Sequence, residues 1–342
     1  MVACTLCPHL CRIRPAEVGI CKVRANVNGR PALPHYAKVS GLNVDPVEKK
    51  PLYHLQPGSR LLSVGFLGCN FRCPFCQNYA ISQSTLAQTR TLHPRDLSDL
   101  ATQSGAQGVA YTYNEPTIHW EYLMEAADLV RAAGLGNVLV TNGHVNARPA
   151  KELLERIDGA NVDLKSFSSS FYERELGGSL DAVREFITIA AELTHLEVTT
   201  LLIPGRNDSD EEVSSIASFI ASIDPSVPLH LSAYYPTYRY EIEATSMQTV
   251  HRARDLALRH LRYVYTGNIA GEGSTRCPAC DAVLVGRRGY SIDLSGLRGH
   301  ACASCGTPAP FRWFDAADAG ARDASGADHD DASSADDASS ES

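Results

Sequence analysis

From residue 61 to residue 266, short apolar runs alternate with stretches in which apolar residues recur every three or four positions. The runs predict strands at residues 61–67, 108–113, 137–141, 161–165, 196–203, 229–233 and 262–266. The periodic stretches predict amphipathic helices at 94–105, 117–134, 147–157, 180–193, 209–223 and 246–260. Strict strand and helix alternation implies parallel strands joined by right-handed crossovers, an α/β sheet that curls into all or part of a barrel. Functional residues are then expected at the C-terminal ends of the strands. Upstream, residues 26–57 read as extended and turn-rich, with Asn28-Gly29 marking a tight hairpin. The charged run Glu48-Lys49-Lys50 either is solvated or lines the substrate side of the barrel.

Composition divides the chain further. It is 342 residues long with a net charge of −8, and from Asp315 onward there are nine acidic residues and one Arg. The remainder carries thirty residues of each sign, so no basic face for nucleic acid is expected. The Ala-, Asp- and Ser-rich residues 315–342 read as a disordered acidic tail. No run of about 20 apolar residues suggests a membrane span, and Met-Val-Ala-Cys-Thr-Leu-Cys does not read as a secretory signal; a cytoplasmic location is expected. Four segments result: a cysteine-rich metal-binding segment at 1–57, a barrel at 58–270, a zinc-ribbon-like module at 271–314, and the tail.

Eleven cysteines fall in three groups, which argues for metal ligands in a reducing compartment over a disulfide framework. Cys4, Cys7, Cys11 and Cys21 are suited to structural zinc or to a second iron–sulfur cluster, and both readings stand. Cys277-x2-Cys280 and Cys302-x2-Cys305 have the pairing of a zinc ribbon. Cys69, Cys73 and Cys76 sit just past the first barrel strand. A four-iron cluster takes four thiolates, so three leave one iron open to a small molecule. A zinc knot is the competing reading, but no other Cys or His lies between Arg60 and Thr91 to complete it.

Polar residues collect where the strands end. Asn114-Glu115-Pro116-Thr117 offers a carboxylate acceptor for an ammonium, or a helix cap; Asn142-Gly143 offers a side-chain amide, or a turn. Asp163 and Lys165, two apart on a strand, project to one side, where buried charge is costly unless used. Tyrosines from Tyr234 to Tyr240 are suited to wall a substrate pocket or to serve as core.

Gly-Cys-Asn-Phe-Arg-Cys-Pro-Phe-Cys-Gln-Asn at 68–78 resembles the signature of the radical S-adenosylmethionine (SAM) enzymes. With Asp-Pro-x-Glu-Lys-Lys-Pro-Leu-Tyr-His at 45–54, Asp-Leu-Lys at 163–165 and Tyr-Thr-Gly-Asn-Ile at 265–269, it is similar to the radical SAM enzymes of the AmmeMemoRadiSam system, relatives of the pyruvate formate-lyase activating enzymes. The resemblance implies a partial (β/α)6 TIM-like barrel with a [4Fe-4S] cluster on Cys69, Cys73 and Cys76. It also implies SAM contacts from Asn114, Glu115, Asp163 and Lys165, to which the Asn142 amide adds a candidate bond to the ribose or carboxylate of SAM, and reductive cleavage to a 5′-deoxyadenosyl radical. The partners it implies are an electron donor such as ferredoxin or flavodoxin, and Memo-like and AMMECR1-like proteins. Radical activation of a partner protein is the leading expectation; modification of a metabolite, nucleotide or side chain, and a non-catalytic metal or electron-transfer scaffold, are the alternatives. Two positions depart from the activating enzymes: Thr199 stands where they often carry Arg, and Tyr235 where they place His.

Overall fold

The computed structural model describes residues 1–271, 273–289 and 291–314. The acidic tail expected at 315–342 lies outside the described residues. Eight strands form one sheet: β1 (Gly41–Pro46), β2 (Arg60–Gly65), β3 (Gly108–Thr112), β4 (Gly136–Thr141), β5 (Gly159–Asp163), β6 (His195–Leu202), β7 (Leu229–Ala233) and β8 (Val264–Gly267), neighbouring in that order. β2 to β8 run parallel, and β1 is an antiparallel edge in register Gly41 to Gly65 through Pro46 to Arg60. β1 and β8 do not pair, so the barrel is partial.

Six helices return the chain between the parallel strands: α1 (Pro94–Gln103), α2 (Trp120–Ala132), α3 (Ala147–Leu154), α4 (Leu180–Leu193), α5 (Asp210–Ile223) and α6 (Met247–Ala257). The side chains of Ser179, Ser209 and Ser246 accept a backbone N–H at the starts of α4, α5 and α6, which is why these helices begin where they do. Their apolar faces pack on the outward residues of the sheet, such as Leu62, Val64, Val109, Leu139 and Val162, in one continuous core. The strands are buried on both faces, as parallel strands covered by helices must be. No helix among the described residues is long and apolar enough to cross a membrane.

The expected division at residues 57 and 58 falls inside the β1–β2 pair. Residues 41–46 belong to the sheet, and the stretch that follows plugs its lower end: Val47, Leu52 and Leu55 pack against Leu61, Ala110 and Val138. Leu55 approaches so closely that a Cβ on Gly159 would lie 2.4 Å from its Cδ2. Asn28-Gly29 does turn a hairpin between Ala25–Val27 and Arg30–Ala32. Leu6 and Ile13 of the N-terminal segment join the main core, while Val23 packs on Leu67 and Ile118. That segment is thus a cap over the barrel and shares its core.

At the lower pole, Glu197 is fully buried and accepts from the backbone N–H of Tyr53 (3.0 Å) and His54 (2.7 Å) and from the rings of His195 (2.9 Å) and His230 (2.6 Å). Burial works against its charge, but the His195 and His230 bonds outweigh it and hold the carboxyl well below its usual range. The C-terminal strands β9 (Thr275–Arg276), β10 (Val283–Arg288) and β11 (Ser291–Asp293) dock here. Arg287 of β10 donates to the Tyr53 carbonyl at 2.6 Å and lies 4.3 Å from the centre of the Tyr53 ring.

Candidate active site

The loop from Gly68 to Asn78 leaves β2 at the upper, C-terminal end of the barrel. Asn114, after β3, holds its start: its Oδ1 accepts from Phe66 N at 3.1 Å and its Nδ2 donates to Gly68 O at 2.7 Å. Gln83 Nε2 donates to Phe71 O (2.9 Å), and Pro74 O accepts from Arg239 N (2.9 Å). The amide of Asn114, expected to touch a cofactor, thus uses one donor and one acceptor position on the loop backbone and keeps a second of each.

The three thiols sit among donors. Cys69 Sγ takes Phe71 N–H at 3.3 Å and Asn142 Nδ2 at 3.7 Å, and Cys76 Sγ lies 3.1 Å from Ser82 Oγ. Such N–H groups are suited to sulfur carrying negative charge. Without metal, burial and then the Glu115 carboxylate push the Cys69 thiol well above its usual value. Burial raises Cys73 to about 12 against the pull of Lys165. Thiolates there must be stabilised by what they bind, and binding releases their protons.

Glu115 is 1% exposed. Its Oε1 accepts from Thr117 N (3.0 Å), Thr117 Oγ1 (2.6 Å) and Thr141 Oγ1 (2.7 Å), and its Oε2 accepts from Asn142 N (2.8 Å). The carboxylate caps the turn Pro116–His119 and ties the end of β3 to the end of β4, leaving capacity for one more donor at Oε2. Neither a lone cap nor a free ammonium acceptor describes it. Asn142 is oriented by this bond; its Nδ2 reaches Asn70 Oδ1 (2.9 Å), and Asn70 Nδ2 donates to His144 O (2.8 Å). Asn70 sits between Cys69 and Cys73 in sequence, but its partners Asn142 and His144 lie more than 70 residues away, so no local pattern announces its place in the site.

Asp163 ends β5 and Lys165 lies just beyond, with Nζ to Oδ2 at 2.9 Å. Burial alone would lower the Lys165 ammonium, but Asp163 and then Cys73 raise it, so the cation is fixed beside the thiols. Lys165 N donates to Tyr172 OH (3.0 Å), and its carbonyl accepts from Asn207 Nδ2 (2.6 Å), two orienting contacts that no local pattern announces. Deeper in the barrel, buried Asp45 receives Lys49 Nζ (2.9 Å), Lys50 Nζ (2.8 Å), Ser63 Oγ (2.9 Å) and Tyr113 OH (2.8 Å). The Glu48-Lys49-Lys50 run therefore faces inward: Glu48 and Lys50 are buried, and only Lys49 is partly exposed.

The two departures from the activating enzymes take different places. Thr199 faces inward and accepts from Asn161 Nδ2 at 2.9 Å. Tyr235 is half exposed and donates to Asn268 O at 2.9 Å. Among the other tyrosines, Tyr234 is core, and Tyr238 stacks on Tyr79 with ring centres 4.6 Å apart beside the loop.

A model of the radical SAM superfamily matches residues 64–220, from β2 through most of α5. An uncharacterized protein of Methanocaldococcus jannaschii is 36% identical over 315 residues, covering 89% of this chain and 94% of its own. The chain belongs to the radical SAM superfamily. That family implies a [4Fe-4S] cluster and SAM as cofactors. The 4-hydroxyphenylacetate decarboxylase activating enzyme of Clostridium scatologenes is 24% identical over 152 residues, 42% of this chain and 48% of that enzyme, so the alignment spans about half the length of that relative. A domain of a pyruvate-formate lyase-activating enzyme from Bacteroides vulgatus superimposes with a TM-score of 0.43 at 19% identity, over 48% of this chain and all of that one.

The donor set of the radical SAM core fits an open cluster better than zinc. Among the described residues, Cys277, Cys280, Cys302 and Cys305 are the one group of candidate ligands whose atoms all lie within 4.8 Å of one another. There Cys277 and Cys305 Sγ are 3.7 Å apart, as are Cys280 and Cys302 Sγ. With Zn–S bonds of about 2.3 Å, a tetrahedron has edges of about 3.8 Å, so this C-terminal set is shaped for zinc. Cys69, Cys73 and Cys76 do not close up in that way.

Proposed function

We propose that this chain is an activating enzyme that cleaves SAM reductively and directs the resulting radical at a glycine of a partner protein. The reading rests above all on convergence: residues from the ends of β2, β3, β4 and β5 meet at three thiols, with Lys165 and Asp163 beside Cys73 and Asn142 and Glu115 beside Cys69. Similarity to enzymes named as activators of a decarboxylase supports the partner-protein version.

In this reading Cys69, Cys73 and Cys76 hold three irons of a [4Fe-4S] cluster. Bound together, cluster and SAM supply a 5′-deoxyadenosyl radical at the cost of one electron from a ferredoxin- or flavodoxin-like donor. The protein's part is to hold and orient. Asp163 presents a carboxylate oxygen to the amino group of SAM, and Lys165 presents Nζ to its carboxylate; the pair is already locked in register by its own 2.9 Å bond. Glu115 acts on Asn142, fixing the side-chain amide that faces Cys69, and keeps one oxygen lone pair for an incoming N–H. The shared core of barrel and N-terminal cap buries Cys73 and packs against Cys69 and Cys76, which stay partly exposed.

The test is anaerobic incubation of the reduced, SAM-loaded protein with purified Memo-like and AMMECR1-like proteins, read by electron paramagnetic resonance. A glycine-centred doublet in either partner, absent without SAM, is the expected result. Stoichiometric 5′-deoxyadenosine release with no protein radical and deuterium uptake from a small metabolite would overturn the partner assignment.

A further inference from the structure

The N-terminal cysteines have no part in the function proposed above. Cys4, Cys7, Cys11 and Cys21 are all free thiols, and they stand near enough that each of the other three acts electrostatically on Cys7. Cys4 N donates to Cys11 O at 2.9 Å, and Cys11 Sγ packs on Gly19, so the two halves of the segment fold toward a common point. We propose that this point holds a second [4Fe-4S] cluster, with one of these cysteines on each iron.

Three observations separate this from structural zinc. First, the chain contains its own reference for a zinc tetrahedron, the C-terminal set with its 3.7 Å sulfur pairs, and the N-terminal thiols do not contract to that spacing. A [4Fe-4S] cubane places each thiolate on a different iron at an outer corner, so its ligand sulfurs stand further apart than the edge of a zinc tetrahedron. Second, zinc in a small module supplies folding energy that the module lacks. This segment has its own hydrophobic support, since Leu6 and Ile13 lie in the barrel core and Val23 packs against Leu67 and Ile118. Third, Arg24 lies beside Cys4 and is only 7% exposed. It pairs with Glu121 at 2.6 and 2.7 Å through its terminal nitrogens, and the same side chain also donates toward Cys4. A buried cationic donor at a ligand sulfur is one of the contacts by which proteins set cluster potentials.

The site also adjoins the barrel loop. The ring of His9 donates to Asn70 O at 2.8 Å, and a Cβ on Gly68 would lie 2.4 Å from Cys21 O. The two cysteine sets therefore occupy touching loops.

The experiment is metal analysis and spectroscopy of the full chain, purified and reconstituted anaerobically with iron and sulfide. About eight iron atoms and about one zinc per chain are expected. The triple variant Cys69→Ala, Cys73→Ala, Cys76→Ala should keep about half of the iron and, when reduced with dithionite, a cluster signal that SAM leaves unchanged. The variant Cys7→Ser, Cys11→Ser should lose the other half while SAM still perturbs the signal that remains. About four irons with about two zincs in the wild type, or a triple variant free of iron, would overturn the proposal. Iron kept in the triple variant together with a wild-type signal indifferent to SAM would support this second cluster and count against the barrel assignment instead.

Discussion

Gly68 opens the three-cysteine loop with φ +80°, and a Cβ built there would sit 2.4 Å from Cys21 O and 2.8 Å from Val23 Cγ1. Gly68→Ala therefore incurs two costs. The left-handed backbone alone costs an L-residue about 1–2 kcal/mol. The overlap adds more, because the first obstacle is a backbone carbonyl and not the end of a flexible side chain; relieving it means moving the N-terminal cap off the loop, at about 1–3 kcal/mol. Gly205 is the internal control: its φ is +68°, but nothing lies within 4 Å of its Cβ position, so Gly205→Ala incurs the backbone cost only. Guanidinium unfolding of identically prepared wild type, Gly68→Ala and Gly205→Ala should show Gly68→Ala less stable than Gly205→Ala by about 1–3 kcal/mol. It should also hold less iron than the wild type. Equal destabilisation by the two changes, within about 0.5 kcal/mol, would refute the claim that cap and loop are braced against each other.

Lys165→Met removes a cation bonded to Asp163 and aimed at the thiols; the loss of one charged hydrogen bond, about 1.5–3 kcal/mol, should weaken SAM binding about ten- to a hundredfold in equilibrium dialysis, and unchanged affinity would remove Lys165 from the site. Burial lowers His54 to about 3, against an ordinary value near 6.5: the folded chain keeps the ring neutral, its Nδ1–H donating to Pro310 O, while the unfolded chain takes up a proton. That stability is whole above about pH 6.5 and falls by about 1.4 kcal/mol per pH unit between about 6 and 4, so His54→Gln should flatten the pH dependence of unfolding by this slope, and an unchanged slope would count against it. Cys280→Ser should release zinc and lower the melting temperature while leaving barrel iron intact, as zinc and iron analysis of the same sample will show; retained zinc would contradict a four-thiolate site.

Periodicity carried the barrel well. Its seven parallel strands and six helices lie within a few residues of where apolar spacing puts them, because each buries one continuous stripe or run. β1 was harder to see. Leu42 and Val44 alternate with Asn43 and Asp45, but of the polar pair only Asn43 is exposed, while Asp45 is buried against Lys49, Lys50 and Tyr113. The same burial hid Glu197, whose four donors come from three separate elements. At the site the residue types were legible and their partners were not. Asn114 and Glu115 do sit at the strand end where polar groups were expected, yet Asn114 bonds the cysteine loop and Glu115 bonds Thr117, Thr141 and Asn142, contacts that exist only once neighbouring strands are in register. The Asp163–Lys165 pair was readable because the two residues are only two positions apart, although the strand stops at Asp163 and Lys165 falls in the loop that follows.

The most direct measurement is the release of 5′-deoxyadenosine and methionine from SAM by the reduced, anaerobically reconstituted chain, followed by chromatography. The wild type should form both in equal amounts, and Cys73→Ala, which keeps the fold but deprives one iron of its anchor, should lower the rate at least about a hundredfold. SAM cleavage by Cys73→Ala at the wild-type rate, or none by a wild type loaded with iron and sulfide, would contradict the account.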